Sequence, residues 1–133
     1  MKKKIKRVLP ILFVIALLFP ISASAYSKGY SFKITHSVTG GKNHDLANKA
    51  TSTTVEGNTY WASGSTKADK ANYTVTLTNG WFTSYTVKDI KADGYRYNKS
   101  FGTVKKDTYA VSVVKSTGGA YGDYIEGSGT IKQ

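Results

Sequence analysis

Apolar and polar residues alternate along most of this chain. Tyr30, Phe32, Ile34 and Val38 share one parity, with His36 among them, while Ser31, Lys33, Thr35 and Ser37 take the other. A period of two predicts a half-buried strand with a wet outer face, and it makes His36 a partly buried structural side chain. Thr59 to Ser63 reads as a further short strand between Gly57 and Gly64. Tyr73, Val75 and Leu77 alternate with Asn72, Thr74, Thr76 and Thr78, and after Asn79-Gly80 the alternation resumes at Trp81, Thr83, Tyr85 and Val87. Asn-Gly between two such runs predicts a tight hairpin, because both turn residues must accept a positive φ. Asp93-Gly94 predicts a second turn, leading to Tyr95, Tyr97 and Phe101 and completing a meander.

Beyond the polar turn Lys105-Lys106-Asp107, Tyr109, Val111 and Val113 form a strand backed by Ala110, Ser112 and Val114, which Gly118-Gly119 ends. The last run, Tyr124 to Lys132, places Ile125, Gly127, Gly129 and Ile131 on one face. Its two glycines leave room for a large ring from a neighbouring strand to lie across the backbone. Gly40 to Ala50 breaks the pattern and reads as a loop, or as a single helical turn capped by Asp45. No stretch sustains a period of 3.6. The pattern predicts an all-β fold, a single antiparallel β-sandwich or barrel of about seven to eight short strands.

The first 25 residues do not belong to that pattern. Lys2, Lys3, Lys4, Lys6 and Arg7 form a positive segment, and Val8 to Phe19 is apolar apart from Pro10. This run is too short for a bilayer span of about 20 residues. Pro20 and then Ser22-Ala23-Ser24-Ala25 supply the helix break and the small-x-small pattern of a signal-peptidase site. Residues 1–25 are therefore expected to be a secretory signal peptide cleaved after Ala25, with 26–133 a single secreted, extracellular β domain. No cysteine is present, which excludes a disulfide framework, thiol chemistry and a lipid-anchored N-terminus.

Removing the signal segment changes the charge. The chain has 19 Lys and Arg against 8 Asp and Glu, and five of the basic residues lie in 1–25, which leaves +6 for the remainder. That excess favours anionic partners such as wall polymer or acidic lipid. Nucleic acid is argued against by export and by the scattered placement of the cations.

Candidate chemistry is sparse. His36 and His44 are the two histidines; His44-Asp45 lies in a glycine-flanked polar stretch, but no third ligand follows at metal spacing. No Gly-x-Ser-x-Gly elbow occurs, and Gly127-Ser128-Gly129 resembles one in part only. Glu56, Asp123 and Glu126 are candidates for a glycosidase pair only because acids are few. The expectation is a non-enzymatic protein with no cofactor, no metal and no catalytic residue.

Ten tyrosines and two tryptophans exceed what a core of this size requires. Tyr95, Arg96, Tyr97 and Lys99 interleave rings with cations after a turn, Trp81 and Phe82 follow Asn79-Gly80, and Tyr121 and Tyr124 flank a third turn. Such rings pair a flat apolar face with a polar tip, suited to sugars or lipid headgroups. The sequence thus points to a secreted binder of an anionic cell-envelope surface, wall polymer or membrane, with a bacteriocin-like antimicrobial role within that class. Its rivals are a matrix protein that self-associates through β edges and a small protein inhibitor of an extracellular enzyme.

Overall fold

The computed structural model describes residues 25–117 and 122–133. Residues 1–24, the bulk of the expected signal peptide, and 118–121, which include Tyr121, lie outside the described residues.

Among the described residues nine strands form, where the alternation predicts seven or eight: β1 (Ser27–Ile34), β2 (Ser37–Thr39), β3 (His44–Leu46), β4 (Lys49–Tyr60), β5 (Asn72–Thr78), β6 (Ser84–Lys91), β7 (Asp93–Val104), β8 (Asp107–Thr117) and β9 (Tyr124–Lys132). All pairings are antiparallel. One sheet has the order β1-β9-β4-β7; the other runs β2-β8-β5-β6, with β3 also pairing β8. The two pack as a β-sandwich, and no helix occurs among the described residues.

The core is built where alternation is strongest. Tyr73, Val75 and Leu77 of β5 and Val111 and Val113 of β8 meet Phe32 and Ile34 of β1, Val55 of β4 and Ile125 and Ile131 of β9 in one buried cluster. Fully burying each such side chain stabilises the fold by about 1.5–3 kcal/mol. The glycines of β9 do what their positions imply. Gly127 lies opposite Phe32 and Gly129 opposite Tyr30, and both rings of β1 cover the bare β9 backbone.

Four expectations are corrected. The first strand does not run through to Val38. It stops at Ile34, which pairs with Ile125 near the start of β9. The His36 carbonyl then accepts the Lys115 N–H, the chain passes to the other sheet as β2, and His36 is exposed rather than partly buried. Gly40 to Ala50 is neither loop nor helical turn throughout, because it contains β3 and the start of β4.

Of the short strand expected at Thr59 to Ser63, only Thr59 and Tyr60 are strand, and residues 61–63 lie in the turn beyond. Those two end the twelve-residue β4, whose inward positions are Thr51, Thr53, Val55, Gly57 and Thr59. Threonines replace apolar residues there, and their hydroxyls are satisfied inside. Thr53 Oγ1 lies 2.8 Å from the Tyr30 hydroxyl, and Thr59 Oγ1 donates to the Ala92 carbonyl at 2.9 Å. Finally, Asp93-Gly94 is not a hairpin turn. A single buried residue, Ala92, separates β6 from β7, and the chain changes sheets there. The positive φ of Gly94 (83°) serves a bulge between Glu56 and Asn58 in the β4–β7 pairing.

A basic, aromatic-tipped end as candidate functional site

The β5–β6 hairpin forms, but not as a two-residue turn. Thr78 pairs with Ser84, so residues 79–83 make the loop and Trp81 is outside the strand it was expected to start. The base of this loop is tightly held. Asn79 N–H donates to the Thr83 carbonyl, and Thr83 N–H donates back to Asn79 Oδ1 at 3.0 Å. Gly80 N–H donates to Thr78 Oγ1 at 3.1 Å, and Gly80 itself has a φ of 113°, which an L side chain rarely adopts. The Asn79 amide also donates to Asp107 Oδ2 at 2.8 Å, tying the loop to the start of β8. That bond, with the Thr108 N–H and the nearby Lys42, holds the Asp107 carboxyl below its ordinary pKa and keeps it an acceptor.

The braced loop presents two rings to solvent. Trp81 is 93% exposed and Phe82 is 96% exposed. Single exposed apolar residues are ordinary on a protein surface; two large adjacent rings, both almost bare, are not.

Charge collects at the same end. Lys42 in the β2–β3 loop places its ammonium 3.2 Å from the position of an added Cβ on Gly80. Lys105 and Lys106 form the β7–β8 turn, where the Lys105 N–H donates to the Tyr85 hydroxyl at 3.0 Å. In the strand register Lys28, Lys49 and Lys132 also fall towards this end. Its acids are Asp45 and Asp107, and both accept protein hydrogen bonds. Six lysines against two aspartates at this end leave eight basic against six acidic residues for the rest of 26–133. Two-thirds of the +6 therefore lies on the Trp81–Phe82 end.

The other candidates lie elsewhere. Tyr95, Arg96, Tyr97 and Lys99 sit on β7, an outer strand of the four-stranded sheet, with Tyr95 towards the opposite end. Tyr95 is 72% exposed, but Arg96 faces Glu56 with 3.5 Å between Nη2 and Oε1. Tyr97 is half-buried and donates to Asp93 Oδ2 at 2.7 Å. Burial alone would raise the Asp93 carboxyl, yet the Tyr97 hydroxyl and the Tyr95 N–H outweigh it and hold the pKa low. Tyr124 stacks on Tyr60 at 5.2 Å, with the Lys33 ammonium 4.7 Å from its ring centre, also at that opposite end. The three aromatic clusters thus do not share one edge. The turn signal at Lys105-Lys106 could have marked the basic partners of Trp81; the contribution of Lys42 depends on β2–β3 geometry that alternation does not encode.

His44 is buried in β3 instead of lying in a polar loop. Its Nδ1 is hydrogen-bonded to the Tyr26 hydroxyl at 2.9 Å, beside a cleft of about 210 Å³ between β1 and β2. Burial, helped by the Lys28 charge, pushes its pKa below the ordinary value. A histidine held neutral in the fold costs stability where the unfolded chain is protonated. Stability is therefore complete above about pH 6.5, the unfolded pKa, and falls as pH drops through that value. Thermal melts between pH 8 and 5 are expected to show this decline, and His44→Gln should flatten it. A variant with the wild-type slope would reassign that titration.

Two of the three candidate acids are engaged with cations, and Glu126 lies on β9 opposite Asn58 of β4. Asp123 is buried against Lys67, and Glu56 faces Arg96. No three His, Asp or Glu side chains gather as a metal site would need among the described residues. No protein-family model matches the chain, and no curated protein matches it in sequence.

Proposed function

We propose that this is an exported, non-enzymatic protein that binds an anionic cell-envelope surface through the end carrying Trp81 and Phe82. The observation that carries the reading is the coincidence of two nearly bare rings with the lysine excess. Each lysine near an anionic surface contributes about 1 kcal/mol, and the rings add apolar contact that salt does not screen. The loop is pre-organised by its hydrogen bonds, so little ordering entropy is lost on contact. A bacteriocin-like action on competing cells belongs to the same proposal.

Self-association through sheet edges is the weaker reading. Three of the four strands at the ends of the sheet orders carry cations, namely Lys28 and Lys33 on β1, Lys88 and Lys91 on β6, and Arg96 and Lys99 on β7; the fourth, β2, has three residues only. Register shifts also interrupt the β4–β7 pairing. Both features blunt an edge against pairing with another chain.

Every strand among the described residues lies within Ser27–Lys132, so the chain from Tyr26 onward contains both sheets and is the form to test. Mixed with cell-wall sacculi and with phosphatidylglycerol vesicles, it is expected to co-sediment at low salt and progressively less as salt rises. Replacing Lys42, Lys105 and Lys106 together by Gln should weaken retention about 100-fold. Absence of retention on both surfaces would overturn the proposal.

A further inference from the structure

We propose that the partner of this end is the interfacial layer of an anionic lipid bilayer, entered by the Trp81 and Phe82 side chains, with the sandwich standing upright on it. The inference rests on the surface-binding reading and narrows it from envelope polymers in general to lipid.

The shape of the site argues for lipid over polysaccharide. A sugar site presents ring faces backed by protein, with polar groups placed beside them to read hydroxyls. Here the exposures of 93% and 96% leave both rings bare at a convex tip. A soft interface accepts such a wedge. The indole also suits that layer, since its apolar body and N–H donor match the boundary between acyl chains and headgroups.

The second argument is the order of chemistry along the sandwich axis. Foremost are the rings. Behind them come Lys42, within reach of Gly80, and Lys105 and Lys106 of the adjoining turn. Flexible ammonium groups set back from an apolar tip reach phosphate headgroups while the rings sit deeper. The remaining lysines of this end follow further back in the register, whereas acids are more frequent at the far end. This order also fixes orientation. Trp61, which follows the end of β4, is at the far end and stays in water.

The two tryptophans make the proposal testable within one molecule. Trp61→Phe leaves Trp81 as the one indole, and Trp81→Phe leaves Trp61. Each protein, from Tyr26 onward, is mixed with vesicles of phosphatidylglycerol and phosphatidylcholine whose acyl chains carry bromine at a shallow position. Expected is a blue shift and quenching of Trp81 fluorescence on phosphatidylglycerol vesicles, with Trp61 emission unchanged. Trp81→Ser with Phe82→Ser should lower vesicle affinity at least about 30-fold without moving the melting temperature. Binding to sacculi without vesicle binding would overturn the lipid proposal and leave surface binding standing. So would vesicle adsorption with no quenching of Trp81. Binding to neither surface would overturn both.

Discussion

Gly127→Ala is expected to destabilise the protein by about 3 kcal/mol or more, the largest effect of an added methyl group at any described glycine. A Cβ at this position would lie 2.2 Å from the Glu56 carbonyl oxygen, 2.7 Å from Gly57 Cα and 2.8 Å from Phe32 Cζ. The first two are backbone atoms of β4, so relief requires breaking the pairing of Gly57 with Gly127 in the middle of the sheet. Phe32 has little freedom to yield. Its ring lies between Tyr30 and Tyr73, with centroid separations of 6.3 and 5.4 Å. For a domain of this size the melting temperature should fall by about 12 °C or more. Gly41→Ala is the control, because nothing lies within 4 Å of its added Cβ, and it should change stability by less than about 0.5 kcal/mol. Equal melting temperatures for the two variants would refute the ring-over-glycine account of β9.

The second large effect concerns the buried ion pair. Lys67 and Asp123 are bonded, with side chains 7% and 2% exposed, and the Lys67 ammonium also lies 4.5 Å from the Trp61 ring centre. The pair joins the long β4–β5 connection to the residue preceding β9. Lys67→Met removes the ammonium but leaves a buried carboxylate, which should cost about 3–5 kcal/mol. Lys67→Met combined with Asp123→Leu removes both charges and should recover most of that loss, because a well-packed apolar pair often replaces a buried ion pair at little cost. Urea unfolding of the two single variants and the double variant gives the coupling energy directly. A double variant as unstable as the sum of the singles would show that the pair's energy lies in other contacts of those residues.

Much of the fold was legible because its inward positions obey the period of two. Tyr73, Val75 and Leu77, Val111 and Val113, and Ile125 and Ile131 are buried as their parity implies, and Tyr30 and Phe32 cover the glycines of β9. Failures occurred where the inside is polar or where parity runs past the end of a strand. Alternation misses Lys49 to Asn58 of β4 because Thr51 and Thr53 occupy core positions that it scores as outer ones. The parity of β1 continues to Val38, past the end of the strand at Ile34. Gly80 and Gly94 take the positive φ that the turn reading requires, but Asn79 and Asp93 do not, because local chemistry does not distinguish a tight turn from a five-residue loop or a bulge.

The candidate site was half legible for related reasons. Trp81 and Phe82 stood out by composition, and their extreme exposure follows from a loop longer than Asn-Gly implied. The β7 group looked equally suitable in sequence. In the fold, however, Tyr97 is committed to Asp93 and Arg96 to Glu56. Which end gathers net charge is a property of strand order, so the sequence pattern held no direct signal for it.

The most direct test sets the two ends against each other on one anionic surface. The protein from Tyr26 onward, a Trp81→Ser and Phe82→Ser variant, and a Tyr95→Ser variant would be compared for retention on phosphatidylglycerol vesicles at physiological salt. Retention of the wild type and the Tyr95 variant, with loss for the Trp81 and Phe82 variant at unchanged stability, is the expected result. Equal retention of all three, or loss in the Tyr95 variant alone, would contradict the assignment of surface binding to the basic, aromatic-tipped end.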